Sequence, residues 1–275
     1  MTPVAEAFER VRPLLLGRLL VASDFDGTIS RLGLDPWRAG IIPRAQRALR
    51  RLAAAPCTDV ALISGRTVAD LAARARIGGI SYHGDHGAQW AVAPRGFRVG
   101  ALHVEHEAVD PSVADMVERL KVEVPARIEA PWLLVEDKGS AVTFHFRGAP
   151  DVAAARARVR ATVDALDPGN VLDRPGGRRA WEVRPPGATT KAVALEGLID
   201  RLGPESVIML GDDRHDVGAF DTLRAARARG RTEALAIGVL SPAADPAELV
   251  GRADVVLATS EEAARFLGLV ARERT

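Results

Sequence analysis

Short apolar runs separated by stretches of helical spacing dominate the chain. Leu19-Leu20-Val21-Ala22, Val60-Ala61-Leu62-Ile63 and the run 207–210 are continuously apolar, the pattern of strands buried on both faces. Between the first two, residues 43–55 repeat apolar side chains at three- and four-residue intervals, with Ala45, Leu49, Leu52 and Ala53 on one side. The same spacing predicts a helix over 3–17 and another over 67–76, the latter with Thr67 as its cap. A strand over 79–83 leads into Gly84-Asp85-His86-Gly87. Strand alternating with helix argues a parallel sheet with right-handed crossovers.

The rhythm changes between 101 and 180. A helix at 109–121 is followed by strand-like runs at 126–129, 131–136 and 140–147, a helix at 150–165, and strands near 170–173 and 179–183. Strands in succession between helices suggest an α+β unit with an antiparallel sheet. The first rhythm then resumes, with helices at 191–201, 216–229 and 260–269 and strands at 207–210, 234–239 and 254–257. The fold class expected is α/β: a Rossmann-like parallel-sheet core, 1–100 with 181–275, carrying an inserted α+β cap at 101–180.

Composition narrows the function classes. Of 275 residues, 47% are hydrophobic and 4% aromatic, so a large core of Ala, Val and Leu can form. The net charge of +1 gives no field that would attract nucleic acid or a membrane surface. Arg224, Arg227, Arg229 and Arg231 read as a solvated helix face, and the single cysteine, Cys57, as a small packing residue. No charged-then-apolar leader and no run of about 20 apolar residues occurs. A cytoplasmic monomer is the expectation. Lys121, Lys138 and Lys191 are the only lysines, and in so Arg-rich a chain a lysine can mark the need for a compact ammonium.

The chemistry concentrates at strand ends. Asp24-Phe25-Asp26-Gly27-Thr28 puts two carboxylates, two positions apart, at the end of a buried strand. Their repulsion calls for a cation, and a divalent, oxygen-loving one such as Mg²⁺ is the obvious choice. Ser64-Gly65, Lys191 and Asp212-Asp213 with Asp216 fall at further strand ends or helix starts, where an open α/β sheet collects its ligands. Together they supply what phosphoryl transfer requires. Asp24 is the expected nucleophile and Asp26 the acid/base. Thr28, Ser64 and Gly65 would hold phosphate, and Lys191 would face both the phosphate and Asp24. Asp24, the Asp26 carbonyl and Asp212, with Asp213 alongside, would hold the metal. A turn or a helix cap accounts for any one of these stretches alone, but not for their joint order.

These four motifs resemble the haloacid dehalogenase-like superfamily of aspartyl-phosphate phosphatases, over nearly the whole chain. Within it, Leu62-Ile63-Ser64-Gly65-Arg66, His86-Gly87-Ala88, Val135-Glu136-Asp137-Lys138, Phe144-His145-Phe146-Arg147 and Trp181-Glu182-Val183-Arg184-Pro185 are similar to the trehalose-6-phosphate phosphatases. The resemblance implies Mg²⁺-dependent hydrolysis of a sugar phosphate, with a trehalose-6-phosphate synthase as candidate partner. It further implies that Glu136, Lys138, Glu182 and Arg184 bind the sugar, with His86 and Gly87 near its path in. Sucrose phosphate or a glycosyl-phosphoglycerate as substrate, a phosphomutase, and a non-catalytic sugar-phosphate-binding regulator remain as alternatives. The fourth motif continues His215-Asp216-Val217, where that family usually has Thr-Asp-Glu.

Overall fold

Each long apolar run becomes a strand, and each helical stripe packs onto one of its faces. The computed structural model describes residues 1–31, 39–175, 179–241 and 246–275. The first part of the chain forms α1 (Val4–Val11), β1 (Leu19–Ser23), α2 (Pro43–Ala54), β2 (Thr58–Ile63), α3 (Val68–Ala75), β3 (Ile80–Gly84), β4 (Gln89–Ala93) and β5 (Glu105–His106). The helix expected over 3–17 ends at Val11 and passes into a 3₁₀ turn over Arg12–Leu15, because Pro13 cannot donate to the α-helical ladder. Thr67 caps α3 as its hydroxyl accepts from the Asp70 N–H at 3.2 Å.

Next come α4 (Pro111–Ile128), β6 (Leu134–Asp137), β7 (Val142–His145), α5 (Val152–Leu166) and β8 (Ala180–Val183). The strand expected at 126–129 is instead the last turn of α4. Val117, Leu120, Val124 and Ile128 make one buried helical stripe, and its packing overrides both the β-branched signal and Pro125. The strand expected near 170–173 reduces to a single bridge between Asp173 and Arg184. The chain closes with α6 (Lys191–Leu202), β9 (Ser206–Gly211), α7 (Arg214–Ala228), β10 (Glu233–Val239), α8 (Pro246–Arg252), β11 (Val255–Leu257) and α9 (Ser260–Arg274).

The large sheet has the order β11-β10-β9-β1-β2-β3-β4-β5, parallel from β11 through β3 and antiparallel at β4 and β5. Alternation along its strands sorts two cores. Leu19, Val21, Val60, Leu62, Ile208 and Leu210 pack with α1, α2, α3 and α9, whereas Leu20, Ala22, Ala61, Ile63, Val207 and Met209 pack with α6 and α7. The second sheet, β6-β7-β8, is antiparallel and buries Val142 and Phe144 under α4 and α5.

The described residues divide into two units, Met1–His106 with Thr189–Thr275, and Glu107–Ala188. The later boundary, compared with the 101–180 expected, has a simple cause. Strand β8 pairs with β7, so 181–188 belong with the second unit, while β5 pairs with β4 and keeps 101–106 in the first. Cys57 is exposed rather than packed, in a turn with φ 51° ahead of β2.

Candidate active site

Strand β1 is the switch point of the large sheet, since its two neighbours, β2 and β9, come from opposite parts of the chain. Val21 lies beside Val60 on one side and Ile208 on the other. Residues just beyond the carboxyl ends of these three strands therefore meet.

Asp24 follows β1, and its N–H donates to the Leu210 carbonyl at 2.9 Å. Buried Phe25 anchors the turn, its carbonyl accepting from the Ile29 and Ser30 N–H groups. Gly27 adopts φ +83°, and a β-carbon there would collide with the Asp212 carboxylate. Only glycine lets this loop lie so close to the end of β9. The Thr28 hydroxyl lies 3.1 Å from Asp24 Oδ2 and 3.3 Å from Asp212 Oδ1 and donates to one of them.

Lys191, the first residue of α6, is buried behind the Thr190 cap. Its Nζ donates to Asp24 Oδ1 and Asp216 Oδ1, each at 2.7 Å. The other Asp216 oxygen accepts from the N–H groups of Asp212 (3.0 Å) and Asp213 (3.1 Å). Asp213 caps α7, accepting from the His215 N–H at 2.8 Å in a reciprocal capping box with Asp216.

Of the four expected metal ligands, Asp24 and Asp212 do converge. The third buried carboxylate beside them is Asp216, and these three offer oxygens within 4.8 Å of one another. The side chain of Asp213 is taken up in capping; that of Asp26 turns to Arg66, a pairing that does not involve the backbone carbonyl expected at the metal. Arg66 Nε and Nη2 hold its two oxygens at 2.6 and 2.8 Å, while Nη1 donates to Asp70 at 2.6 Å. The guanidinium also lies 5.8 Å from the centre of the Phe25 ring. The sequence reading gave Arg66 no role; its position two residues after Ser64, in the same turn, was the available signal.

The electrostatics of the cluster favour a cation. Burial raises the Asp24 carboxyl above its ordinary range, and Asp213 and Asp26 add repulsion that Lys191 opposes. Burial with the Asp24 and Asp216 charges pushes Asp212 up to about 9. Burial likewise lifts Asp216 despite Lys191. Asp213 is the exception: burial raises it, but Lys191 and His215 bring it down to about 2. Lys191 itself is held well above its usual value, because Asp216 and Asp24 outweigh its burial. One ammonium cannot neutralise so many carboxylates in a dry site, and three converging oxygens suit a hard divalent ion.

Ser64 follows β2, and its Oγ accepts from the Arg66 N–H at 3.3 Å. Its carbonyl accepts from His86 N–H, which ties this loop to the one after β3. The His86 ring packs against Gly65 and lies 4.9 Å from the ring of His215. Gly87, at φ +116°, closes on Ala194 and Thr189 at the start of α6.

In the second unit, Glu136, Thr143 and Glu182 are in register across β6, β7 and β8. Alternation puts them on the face opposite buried Val142 and Phe144. Lys138 Nζ donates to Glu182 Oε2 at 2.8 Å, and the Arg184 guanidinium lies 3.9 Å from Glu182 Oε1. His145 Nε2 is 2.7 Å from Glu136 Oε2. All three lysines of the chain thus have nearly buried side chains that end in ion pairs, Lys121 with the exposed carboxylates of Glu118 and Asp137.

A family model described as trehalose-phosphatase matches residues 22–242. The trehalose-phosphate phosphatase of Mycolicibacterium paratuberculosis is 36% identical over 217 residues, covering 75% of this chain and 52% of that protein. An uncharacterized glycosyl hydrolase of Mycobacterium tuberculosis is 34% identical over 227 residues, covering 80% of this chain and 16% of its own length. The chain thus spans about half of the first relative and a small part of the second. Among solved structures, the C-terminal domain of a trehalose-6-phosphate phosphatase from C. albicans superposes with a TM-score of 0.75 at 20% identity, covering 99% and 98% of the two chains. No helix among the described residues is long and apolar enough to cross a membrane.

Proposed function

Because the chain belongs to the trehalose-phosphatase family, we propose that it hydrolyses trehalose 6-phosphate to trehalose and phosphate. The observation that carries this reading is the Asp24 carboxylate, buried, 2.7 Å from Lys191 and clustered with Asp212 and Asp216. A carboxylate used only for stability would not be placed where burial and its neighbours raise its energy.

Asp24 attacks phosphorus as nucleophile while Lys191 holds its other oxygen and balances charge. As the phosphorus–oxygen bond to the sugar breaks, Asp26 gives its proton to the leaving alkoxide. Asp26, now a carboxylate, takes a proton from water, whose oxygen attacks the aspartyl-phosphate, releasing phosphate and restoring Asp24. Thr28, Ser64 and Gly65 are assigned to the phosphate oxygens. Asp24, Asp212 and Asp216 fit Mg²⁺, with Asp213 in their support; when bound, it would offset charge on the phosphate oxygens.

The first unit thus carries the chemistry, and Glu136, Lys138, Glu182 and Arg184 of the second are assigned to the sugar, with His86 and Gly87 of the first. Carboxylate and ammonium groups held in fixed geometry suit a ring of hydroxyls. We place the enzyme in the cytoplasm as a monomer, supplied by a trehalose-6-phosphate synthase.

Phosphate release with Mg²⁺ across a panel of sugar phosphates tests the reading. Trehalose 6-phosphate is expected to give the highest kcat/KM. A tenfold preference for another ester, about 1.4 kcal/mol of discrimination, would replace the substrate. Binding without turnover would make the chain a regulator.

A further inference from the structure

A cavity of about 400 Å³ lies beside the end of α2 and the loops flanking β3 and β4, lined by Arg50, Arg76, Gly78, Arg95 and Phe97 among others. Its volume falls within the usual range for small-molecule sites. Gly78 precedes β3 and Arg95 follows β4, which runs antiparallel to it, so the cavity is at the amino ends of the parallel strands. Asp24, Ser64 and Asp212 stand at their carboxyl ends. The cavity is therefore separate from the site described above.

Its charge is one-sided. Three guanidinium groups line it, and no carboxylate does. Elsewhere on the surface many arginines stand beside carboxylates, as Arg10 does beside Glu6, Arg18 beside Asp59, and Arg231 beside Glu196 and Asp200. Among the described residues, Arg50, Arg76 and Arg95 belong to no ion pair. Helix α2 adds to the field, carrying Arg44, Arg47, Arg50 and Arg51 and no acidic residue in Pro43–Ala54.

Two of the three heads are partly fixed. Arg50 Nη2 donates to the Arg76 carbonyl at 2.7 Å, and Arg76 Nε to the Ala73 carbonyl at 3.0 Å. These bonds satisfy the end of α3 and leave most of each guanidinium's five donors for other acceptors. Anchored groups lose less entropy when they order around a ligand. Capping of α3 accounts for Arg50 and Arg76, but not for Arg95, nor for the absence of any acid. Arg76 also sits in the left-handed region at φ 50°, where glycine would be the easier residue. Phe97, 6.1 Å from the Tyr82 ring, forms the apolar wall.

We propose that this cavity binds a compact, multiply charged anion of the phosphate-ester or pyrophosphate class. Guanidinium groups match phosphate oxygens with paired N–H donors, and clustered charge is what three unneutralised arginines favour.

The test is calorimetric titration of pyrophosphate into protein freed of divalent metal over a chelating resin, at low ionic strength. One site per chain is expected, weakening as salt is raised. Arg50→Gln and Arg95→Gln, both at exposed positions, should each weaken binding about tenfold or more. Both should leave kcat/KM without added anion within about twofold of the parent. Asp24→Asn should leave pyrophosphate affinity unchanged. Absence of heat up to millimolar pyrophosphate overturns the proposal. So does affinity that survives both arginine substitutions, or that is lost with Asp24→Asn.

Discussion

Arg66 grips Asp26 through both carboxylate oxygens, at 2.6 and 2.8 Å, two positions after the Asp24 carboxylate. The fork is itself held by Asp70, which also accepts from Arg74 at 2.7 Å. In the proposed acid/base role of Asp26, this grip is what sets the position of its carboxyl. Arg66→Gln is expected to lower kcat about tenfold to a hundredfold, with Arg66→Lys intermediate because it keeps charge but loses the fork. Steady-state kinetics of the two variants decide it; equal loss in both would show that only the fork matters.

Asp24→Asn separates chemistry from stability. Turnover should fall by roughly three orders of magnitude or more, and no phosphoenzyme should form from labelled substrate. The same change should raise the melting temperature of the metal-free protein. It removes a buried carboxylate whose charged form burial, Asp213 and Asp26 all disfavour. A lowered melting temperature would mean that the Lys191 ion pair outweighs this cost.

The raised Asp212 gives a pH prediction whose sign is fixed. Its folded value, about 9, lies above the unfolded value near 3.8, so the folded state holds the extra proton between the two. Stability from this group is fully present below about pH 4 and is lost as pH rises toward 9. Melting curves of metal-free protein should fall across that window, while added Mg²⁺ should restore more stability at higher pH. A Mg²⁺ effect that shrinks with rising pH would count against the carboxylates as the binding groups.

Gly27→Ala should be far from conservative. A left-handed backbone costs an L-residue about 1–2 kcal/mol, and the new β-carbon would press on the Asp212 carboxylate. Loss of activity by more than tenfold, with weaker Mg²⁺ stabilisation, is expected; thermal shift with and without metal measures the second effect.

Glu182→Ala leaves the Lys138 ammonium, 5% exposed, without its partner. Removing one side of a buried pair typically costs about 3–5 kcal/mol. If Glu182 also holds the sugar, KM for trehalose 6-phosphate should rise while kcat/KM for p-nitrophenyl phosphate stays nearly unchanged. Equal loss on both substrates would reduce Glu182 to a structural residue.

Much of the fold was legible because β1, β2 and β9 are buried on both faces and so read as unbroken apolar runs. Strands β4 and β5 lie at the antiparallel edge, where Trp90 is only part-buried and Val92 is exposed, and local pattern does not separate them from loop. The 126–129 segment misled for the opposite reason: Ile128 follows a stripe set by tertiary packing. Asp24, Thr28, Lys191 and Asp212 could be located from their places at element boundaries. The exchange of partners could not. Nothing local says that Asp216, rather than Asp213, will face Asp24, since both lie near the start of α7 and both take part in its capping box. Arg66 was equally hidden, because its partner is 40 positions earlier.

The split of the sheet around the inserted unit has a consequence for how the molecule matures. Lys191 and Asp24 are 167 positions apart, and Thr28 and Asp212 are 184 apart. A chain still being synthesised holds β1 and β2 long before β9 exists, so the central strand waits with one edge bare. Closing so long a loop is slow, though each doubling of length costs only about 0.6 kcal/mol more. Residues 107–188, with a core of their own, can condense meanwhile and shorten the effective span. Until α6 and β9 dock, Asp24 lacks Lys191, Asp212 and Asp216. Competence for chemistry is therefore acquired only after the inserted unit and β9 have been made.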